Sequence, residues 1–564
     1  MFLLFYFMQK KNLLFLSAAS ILMLTSCSSK LGPLSADNIK VVPNPLETEA
    51  GQVPVTINGI FPEKYMNKKA VVTVTPVLRY NGQSATGNSA TFQGEKVIGN
   101  DQTISYLYGG QYTMKTSFGY VPEMHKSELY LTFNAKVGKK YVVVPEIKVA
   151  DGVIATSELY KETMKSGDAC VMPDAYQRII EQKQTANVQF LIQQAELRKS
   201  ELKNNSVQEF VALLNEINND RERLNLTNIE VSAYASPDGG VTLNDKLANK
   251  RQQNSEKFVN QTLKNAKMDA NVDANYTAQD WEGFQDLVQA SNIQDKEVIL
   301  RVLSMYKDPQ EREQQIKNMG AAFRELADGI LPQLRRARMT INYEIIGRDD
   351  NQIVEQFNAD ATKLSVEEIL YSATLTNDLS EKAARYAKAI ELYPNDVRGY
   401  NDLAAVAYAQ GDYNKANEML QKALKVNGGS AEVKANLGML ALKNGDVKNA
   451  ENLISQAAGA NGIGEALGNL HIAQGNYAQA ALDFGNTKSN SAALAQILNK
   501  DYAAAAQTLN LVKNANGMTD YLKAILNARQ GNNNAAAEAL RSALAKDPSL
   551  RNYANNDLEL KAIK

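Results

Sequence analysis

The chain has 564 residues, which is too long for a single hydrophobic core and predicts three or four domains. Its hydrophobic content of 44% and charged content of 22% are those of an ordinary globular protein. Because 61 basic side chains balance 62 acidic ones, the chain as a whole has no excess positive charge to attract nucleic acid. Its two histidines, His125 and His471, are too few to favour His-based catalysis or a His-rich metal site.

The first 27 residues predict a signal peptide, which is not part of the fold. Lys10 and Lys11 form a basic region, and Leu13–Leu24 is an apolar stretch far too short to span a bilayer as a helix. Residues 24–27 are Leu-Thr-Ser-Cys and resemble a bacterial lipobox, which implies acylation of Cys27, with palmitate among the acyl chains. Several acyl chains make a durable membrane anchor. The alternative is a plain signal peptide that contains a cysteine.

The residues that follow Cys27 bear on location. They are Ser-Ser-Lys, with no aspartate directly after the cysteine and no acidic cluster close by. By resemblance to the sorting rules of such lipoproteins, this pattern implies the cell outer membrane, with the protein on the periplasmic face. Cys170 then remains as a single thiol without an intramolecular disulfide partner.

Residues 28–45 predict a tether, since they hold three prolines and several polar residues. From 46 to 165 the hydrophobic pattern alternates with period two, which predicts an N-terminal β-sandwich of immunoglobulin-like type. We see no site in this domain, and a spacer or docking role is no better supported than a plain structural one. The clearest predicted strands are Val53–Ile57, Ala70–Val77, Glu128–Phe133 and Tyr141–Pro145.

Residues 183–348 predict a mixed α/β domain, with a helical insertion at about 275–333 that contains Trp281. Strand, helix, strand, helix and closing strand follow in this order: Asn187–Ile192, Val207–Asn218, Ile229–Ala233, Asn244–Leu263 and Arg338–Ile345.

The stretch 229–251 resembles the peptidoglycan-binding signature of OmpA-like domains. In that family an acidic residue after a strand and an arginine on the next helix hold the diamino acid of the peptidoglycan stem peptide. The resemblance places Arg251 on the binding arginine, where its planar fork suits the ligand carboxylate, and it assigns Asp238 to the ligand ammonium. The usual aspartate position falls on Ser236. Ser-Pro-Asp-Gly is also a strong turn signal, so the alternative for Asp238 is capping its own loop.

Three further residues are supporting candidates in this predicted peptidoglycan site. Tyr234 ends the strand, and Asn244 is the expected N-cap of the helix. Arg336 belongs to the run 334–338, where the family usually carries an arginine pair; an interdomain salt bridge is the alternative for Arg336.

From about 362 to 564 the sequence is helical and repetitive. Gly411 and Gly445, with their small and large neighbours, recur after 34 residues, a period that matches the tetratricopeptide repeat. We count five or six repeats. Such arrays present a concave groove for a peptide or a partner helix. By resemblance, four residues on first helices line that groove: Tyr400, Asn401, Lys434 and Asn436.

These features predict a multidomain protein that is not an enzyme and takes no cofactor or metal. We expect an outer-membrane lipoprotein of Bacteroidetes type that binds peptidoglycan through its OmpA-like domain and recruits an unidentified envelope protein through its repeats. The alternative is a repeat scaffold, or an accessory subunit of an outer-membrane assembly or secretion complex, that does not bind peptidoglycan.

Overall fold

The computed structural model describes residues 31–563, which fold as two compact units. One unit joins the N-terminal region up to Asp174 with the C-terminal region from Thr376, and the other spans Ala175–Leu375. The central unit is therefore an insertion between two parts of the chain that fold together. The predicted signal peptide and Cys27 lie outside the described residues. Between residues 31 and 563, no helix has the length and apolar character needed to cross a bilayer.

The N-terminal region contains twelve strands within the described residues. The strands are β1 (Ile39–Val42), β2 (Leu46–Glu47), β3 (Gln52–Phe61), β4 (Ala70–Tyr80), β5 (Gln83–Thr86), β6 (Ala90–Gly94), β7 (Gln102–Ile104), β8 (Gly110–Gly119), β9 (Ser127–Val137), β10 (Lys140–Val142), β11 (Ile147–Asp151) and β12 (Val153–Ile154). One sheet has the order β1-β3-β8, and the other has the order β10-β9-β4-β6-β7, with β11 also paired to β9 and β5 to β4. The expectation of a β-rich N-terminal region is confirmed.

Alternation along the strands builds the core of this β domain. Val53, Val55 and Ile57 of β3 are buried, while the residues between them are not, because successive side chains of a strand point to opposite faces. Apolar side chains of both sheets meet in one cluster, so the sheets form a sandwich. From Leu31 onward, the residues predicted as a tether are part of the β domain instead. Leu31 lies in its core, and β1 pairs with β3 in antiparallel register.

Residues 155–174 leave the sandwich and run along the C-terminal helices. We call this stretch the groove segment. It contains a 3-10 helix (Thr156–Leu159), the single turn α1 (Tyr160–Thr163) and a second 3-10 turn (Met164–Ser166), after which the chain is irregular. The predicted end of the β domain at residue 165 therefore falls inside the groove segment, which lies along the C-terminal helices and outside the sandwich.

The central unit is built on one four-stranded sheet with helices on one face. Its first elements are β13 (Ile179–Gln189), α2 (Asn205–Asn219), β14 (Leu224–Tyr234), α3 (Val241–Asn265) and β15 (Val272–Thr277). The closing strand β16 (Arg336–Ile346) gives the order β13-β16-β14-β15. Strand β15 pairs in parallel with β14 and was not predicted. Side chains of α2 and α3 share one core with the inner face of the sheet.

A helical insertion follows β15 and has a hydrophobic cluster of its own around Phe284 and Leu326. Its elements are α4 (Trp281–Ala290), α5 (Lys296–Met305), α6 (Pro309–Lys317), α7 (Ala321–Glu325), a π-helical turn (Leu326–Ile330) and α8 (Leu331–Leu334). After β16, two more helices belong to the central unit: α9 (Asp350–Asp360) and α10 (Val366–Ser372). The C-terminal array therefore begins later than the predicted residue 362.

The C-terminal region is a stack of helical hairpins preceded by α11 (Leu379–Leu392). We call it the repeat array. Its hairpins are α12 (Val397–Ala409) with α13 (Tyr413–Val426), α14 (Ala431–Lys443) with α15 (Val447–Ser455), α16 (Gly464–Ala473) with α17 (Tyr477–Phe484), α18 (Asn490–Leu498) with α19 (Tyr502–Leu511), and α20 (Gly517–Arg529) with α21 (Asn533–Lys546). The helix α22 (Leu550–Asn556) follows. Gly411 and Gly445 sit at the turns with φ of +79°, a conformation that glycine adopts without strain.

Candidate binding sites

The first helices of the five hairpins, α12, α14, α16, α18 and α20, contact one another in succession and form one wall of the array. We call this wall the groove. Polar side chains are buried on it, among otherwise apolar and small residues. Buried polar groups need hydrogen-bond partners, and the groove segment supplies them. The groove side chains concerned are Asn401, Asp402, Asn436, Asn490 and Ser491. Glu465 is buried on the same wall and accepts a hydrogen bond from Asn469 within the array.

At the N-terminal end of the array, two asparagines hold the main chain of Cys170. The Cys170 carbonyl accepts from Nδ2 of Asn401 at 2.9 Å and from Nδ2 of Asn436 at 2.8 Å. The Cys170 amide donates to Oδ1 of Asn436 at 2.7 Å. Two residues on, the Met172 amide donates to Oδ1 of Asp402 at 2.8 Å. In this stretch the groove side chains therefore bind main-chain N–H and C=O groups of the segment.

Nearer its own N-terminal end, the same segment is held through both main chain and side chains. The Met164 carbonyl accepts from the Tyr408 hydroxyl at 3.0 Å, and the hydroxyls of Ser491 and Thr163 lie 2.9 Å apart. The Tyr553 hydroxyl donates to the Ala155 carbonyl at 3.2 Å. The segment thus runs from the last helices of the array to the first, opposite to the order of the repeats.

Two carboxyl groups are buried in the groove. Burial raises the pKa of Asp402 to about 7, although the Met172 amide and Asn401 donate hydrogen bonds that favour the ionised form. Burial also raises the pKa of Glu465 to about 7. Of the two, Asp402 contacts the groove segment through the Met172 amide, so its protonation state affects the fit between groove and segment.

Two of the four predicted groove residues, Asn401 and Asn436, contact the occupant of the groove, but that occupant belongs to the same chain. Tyr400 and Lys434 are half-buried on the same helices. Asp402, Tyr408 and Ser491 were missed by the sequence analysis. Their signal was present, because Asn, Asp and Ser are unusual at buried positions of helices rich in alanine and leucine.

The second candidate site is the loop between β14 and α3. Helix α3 begins after Gly240, so Asn244 is not its N-cap. Instead, Nδ2 of Asn244 donates to the carbonyls of Ser236 and Gly239, each at 2.8 Å. Asn244 is buried and closes the loop on itself, so its side-chain donors are already engaged within the protein.

Arg251 lies behind this loop and is only 1% exposed. Its Nε donates to the Gln194 carbonyl at 3.0 Å and its Nη1 to the Tyr234 carbonyl at 2.8 Å. Its guanidinium lies over the ring of Phe190 at 5.0 Å. Burial, together with the neighbouring Arg335, lowers the pKa of Arg251 to about 10, so the group stays charged at neutral pH. The guanidinium ties the chain after β13 to the end of β14.

Asp238 meets an arginine that the sequence analysis did not select. Its Oδ2 lies 3.4 Å from Nη2 of Arg335, and its Oδ1 accepts from the Ser236 hydroxyl. The predicted Arg336 instead pairs with Asp280 at 2.8 Å, inside the central unit, and lies over the ring of Tyr234. Ser236, Asp238 and Arg335 therefore form one hydrogen-bonded group, and Arg336 is not part of it.

There is little free space beside this group. Pro237 and Asp238 face the helical insertion across a cavity of about 10 Å³, which has room for about one water molecule. Trp281 and Phe323 are among its other lining residues. Within residues 31–563, no three His, Cys, Asp or Glu side chains are grouped to hold a metal ion.

Comparison with known proteins identifies the C-terminal region. A tetratricopeptide repeat model matches residues 407–462, and a second one matches residues 386–416. No curated protein matches the chain. The two matched stretches cover α12 to α15 and the end of α11, where the 34-residue period is clearest in the sequence.

Two solved structures show a weak similarity to part of the chain. A tetratricopeptide repeat protein from Parabacteroides merdae is 15% identical, with a TM-score of 0.27, over 38% of this chain and 90% of its own. PilF of Pseudomonas aeruginosa is 19% identical, with a TM-score of 0.25, over 36% of this chain and 96% of its own. At TM-scores this low, neither likeness says what this chain binds. The C-terminal region of the chain carries tetratricopeptide repeats.

Proposed function

We propose that the protein is a non-enzymatic interaction scaffold of the cell envelope, anchored through acylation of Cys27 and facing the periplasm. The observation that carries the scaffold role is the repeat array itself, whose groove is already filled by residues 155–174. Because its own segment occupies the groove, a partner protein must use another face of the array. Its partner, an envelope protein, binds the second helices, where Leu482 and Leu511 are exposed.

Site-specific photo-crosslinking in cells tests the scaffold surface. A photoreactive residue is placed at Leu482 or Leu511, and at Val298 as a matched control, since Val298 is an exposed apolar residue of the central unit. We expect a protein adduct of defined mass at one or both repeat positions and none at Val298. Adducts at Val298 alone, or no adduct at either repeat position, would contradict the proposed surface.

The proposed anchor has a separate test. Metabolic labelling with a palmitate analogue, followed by mass spectrometry of the N-terminal peptide, measures acylation directly. We expect label on the wild-type chain and none on the Cys27→Ser variant. Equal label on both, or none on either, would show that Cys27 is not the anchor, whatever the array binds.

Peptidoglycan binding is the second candidate, through the resemblance of residues 183–348 to OmpA-like domains. One observation favours it: Arg251 and Arg335 share a single neighbouring carboxylate, Asp238, so the group keeps an excess positive charge that suits a ligand carboxylate. Because Arg251 is buried, it is not placed to make the direct ligand contact that the sequence resemblance assigns to it. In this proposal Arg335 and Asp238 make the contacts, and Arg251 supports them from behind.

Pull-down of the full chain with purified sacculi distinguishes the two candidates. Arg335→Gln removes the proposed contact, and Arg338→Gln, at an exposed position of the adjoining strand β16, is the matched control for charge. Loss of a charge-assisted hydrogen bond should reduce retention about tenfold for Arg335→Gln. Equal retention of both variants would remove this site, and failure of the wild-type chain to sediment would leave the scaffold without peptidoglycan binding.

A further inference from the structure

The point at which the chain enters the β domain fixes how far that domain can lie from the proposed anchor. Three residues separate Cys27 from Leu31, which is only 4% exposed and belongs to the sandwich core. Four extended residues span at most about 14 Å. If Cys27 carries the acyl chains, as proposed above, the surface around Leu31 therefore lies at the membrane.

Hydrogen bonds show which surface that is. The Gly32 carbonyl accepts from the Tyr65 hydroxyl at 3.0 Å, and Tyr65 belongs to the loop between β3 and β4. Neighbouring loops attach to the same loop through main-chain hydrogen bonds, from Lys96 to Lys68 at 2.7 Å and from Gly138 to Lys69 at 3.0 Å. The loop 105–109 joins it as well, since the Lys64 amide donates to the Tyr106 carbonyl at 2.6 Å.

The loops 62–69, 95–101 and 105–109, with the turn and first strand residues at 138–141, form one end of the sandwich, which we call the entry end. The repeat array contacts the other end. There the ring of Tyr553 packs against His125 with centroids 5.0 Å apart. Strand β3 runs ten residues between the two ends, which separates them by about 33 Å. The array therefore leaves the entry end uncovered.

Large apolar and aromatic side chains project from the entry end. Ile98 is fully exposed, Tyr108 is 83% exposed and Tyr141 is 78% exposed. Leu107, beside Tyr108, is more than half exposed. Single exposed apolar residues are ordinary on protein surfaces, but four on adjoining loop tips form a patch that marks a contact surface.

Charge at the entry end is biased towards basic groups. Six exposed lysines stand against three carboxylates, and one of these, Glu95, is already paired with Lys68 at 3.6 Å. The lysines are Lys64, Lys68, Lys69, Lys96, Lys139 and Lys140, and the other two carboxylates are Glu63 and Asp101. Tyrosine and lysine beside exposed aliphatic tips are the composition that favours the boundary between water and lipid headgroups.

We propose that the entry end is a membrane-contact surface for an anionic phospholipid bilayer. Ile98, Leu107 and Tyr108 insert among the headgroups, and the lysines face the lipid phosphates. This surface adds a second membrane signal to the acyl anchor and sets the β domain directly on the membrane, with the repeat array at its far end. Weak surface binding combined with an acyl chain gives much more stable attachment than either alone.

The first test measures burial of the loop tips with a polarity-sensitive dye on the full chain without acyl groups. A Cys27→Ser background is used, and the dye is attached at Ile98→Cys or, as the matched control, at Leu482→Cys, a 72% exposed apolar position of the repeat array. Cys170 does not interfere, because it is buried and burial raises the pKa of its thiol to about 12. The probe is vesicles of phosphatidylethanolamine and phosphatidylglycerol, with phosphatidylcholine vesicles as the neutral comparison.

We expect a blue shift at position 98 with the anionic vesicles, a much smaller one with neutral vesicles, and none at position 482. No shift at 98, equal shifts at 98 and 482, or equal shifts with both kinds of vesicle would overturn the proposal. Since this chain lacks the acylated cysteine, the outcome does not depend on whether Cys27 is the natural anchor.

A second test uses vesicle sedimentation of charge variants. Lys64→Gln and Lys96→Gln change exposed loop lysines, and each should weaken binding on the order of fivefold at low salt. Lys422→Gln, on an exposed helix of the array, is the matched control and should leave binding unchanged. Equal loss in all three variants would indicate a nonspecific effect of net charge and would overturn the assignment of the entry end.

Discussion

Recognition of the groove segment depends on a few side chains that bond to main-chain atoms. Asn436 is the central one, because it donates to the Cys170 carbonyl and accepts from the Cys170 amide. It also donates to Asn401, which in turn donates to the same carbonyl. A side-chain amide can bond to both the N–H and the C=O of one residue at once, which an alanine or a carboxylate cannot. These contacts are to main-chain atoms of Cys170, so they do not select its side chain.

Replacing Asn436 by alanine should destabilise the unit that contains the array. The Cys170 amide loses its acceptor in a dry environment, and we expect the free energy of unfolding to fall by about 2–3 kcal/mol. Chemical denaturation followed by far-UV circular dichroism measures this change. Asn449→Ala, at an exposed position of α15, is the matched control and should stay within about 0.5 kcal/mol of the wild type. Equal effects of the two substitutions would contradict the assigned role.

Asp402 predicts a pH dependence of stability with a definite sign. Burial raises its pKa in the folded protein to about 7, so between its ordinary pKa and 7 the unfolded chain binds fewer protons than the folded one. Stability should therefore decrease as pH rises from about 4 to 7 and level off above that range. Asp402→Asn keeps an acceptor for the Met172 amide but cannot ionise. The variant should gain on the order of 2 kcal/mol relative to the wild type between pH 5 and pH 8, measured by denaturation at both values. A constant difference across pH would show that Asp402 does not titrate in this range.

At the scale of elements, the sequence predicts helices and strands that have a regular local pattern of residues. It does not predict contacts between residues that are far apart in the chain. Alternation locates β3, β4 and β9, and the 34-residue spacing of Gly411 and Gly445 locates the repeats, since both signals arise within one element or between neighbours. The groove segment has no such signal, because Cys170 and Asn436 are far apart in the sequence and form their hydrogen bonds only in the folded protein. Strand β15 was missed because a polar edge strand lacks an apolar alternation. Arg335 was missed for a related reason, because the strand boundary that decides between Arg335 and Arg336 cannot be placed to one residue.

Close helix packing in the array provides a prediction at this scale. A Cβ on Gly438 of α14 would lie 2.5 Å from Cγ1 of Ile454 on the paired helix α15. Gly438→Ala should therefore cost about 1–2 kcal/mol, since overpacking exceeds the gain in helix propensity. Adding Ile454→Val should recover part of the loss, as thermal unfolding would show. Gly428→Ala, where the nearest atom is 3.5 Å away, is the matched control. Independent, additive effects of the substitutions at 438 and 454 would argue against the contact.

At the scale of the whole molecule, the chain is arranged as one unit inserted into another. The groove segment ends directly before the central unit begins, and the array starts directly after it ends. A scaffold built this way presents three modules from one chain: a sandwich at the proposed membrane contact, an array with its own groove filled, and a central α/β unit whose charged loop is closed by its insertion.

This arrangement predicts that the two units can be followed separately, because the chain has a single tryptophan. Trp281 lies in the insertion of the central unit, so intrinsic tryptophan fluorescence reports on that unit alone, while far-UV circular dichroism reports on helices of both. Asn436→Ala should shift the transition seen by circular dichroism and leave the Trp281 transition unchanged. Arg251→Met should shift the Trp281 transition, together with only that part of the circular dichroism signal that comes from the central unit. It leaves the carbonyls of Gln194 and Tyr234 without their buried donor, at a cost of roughly 2–4 kcal/mol to the central unit. If both substitutions moved both signals together, the two units would unfold as one, and the insertion would be a structural partner of the array and not a separate module.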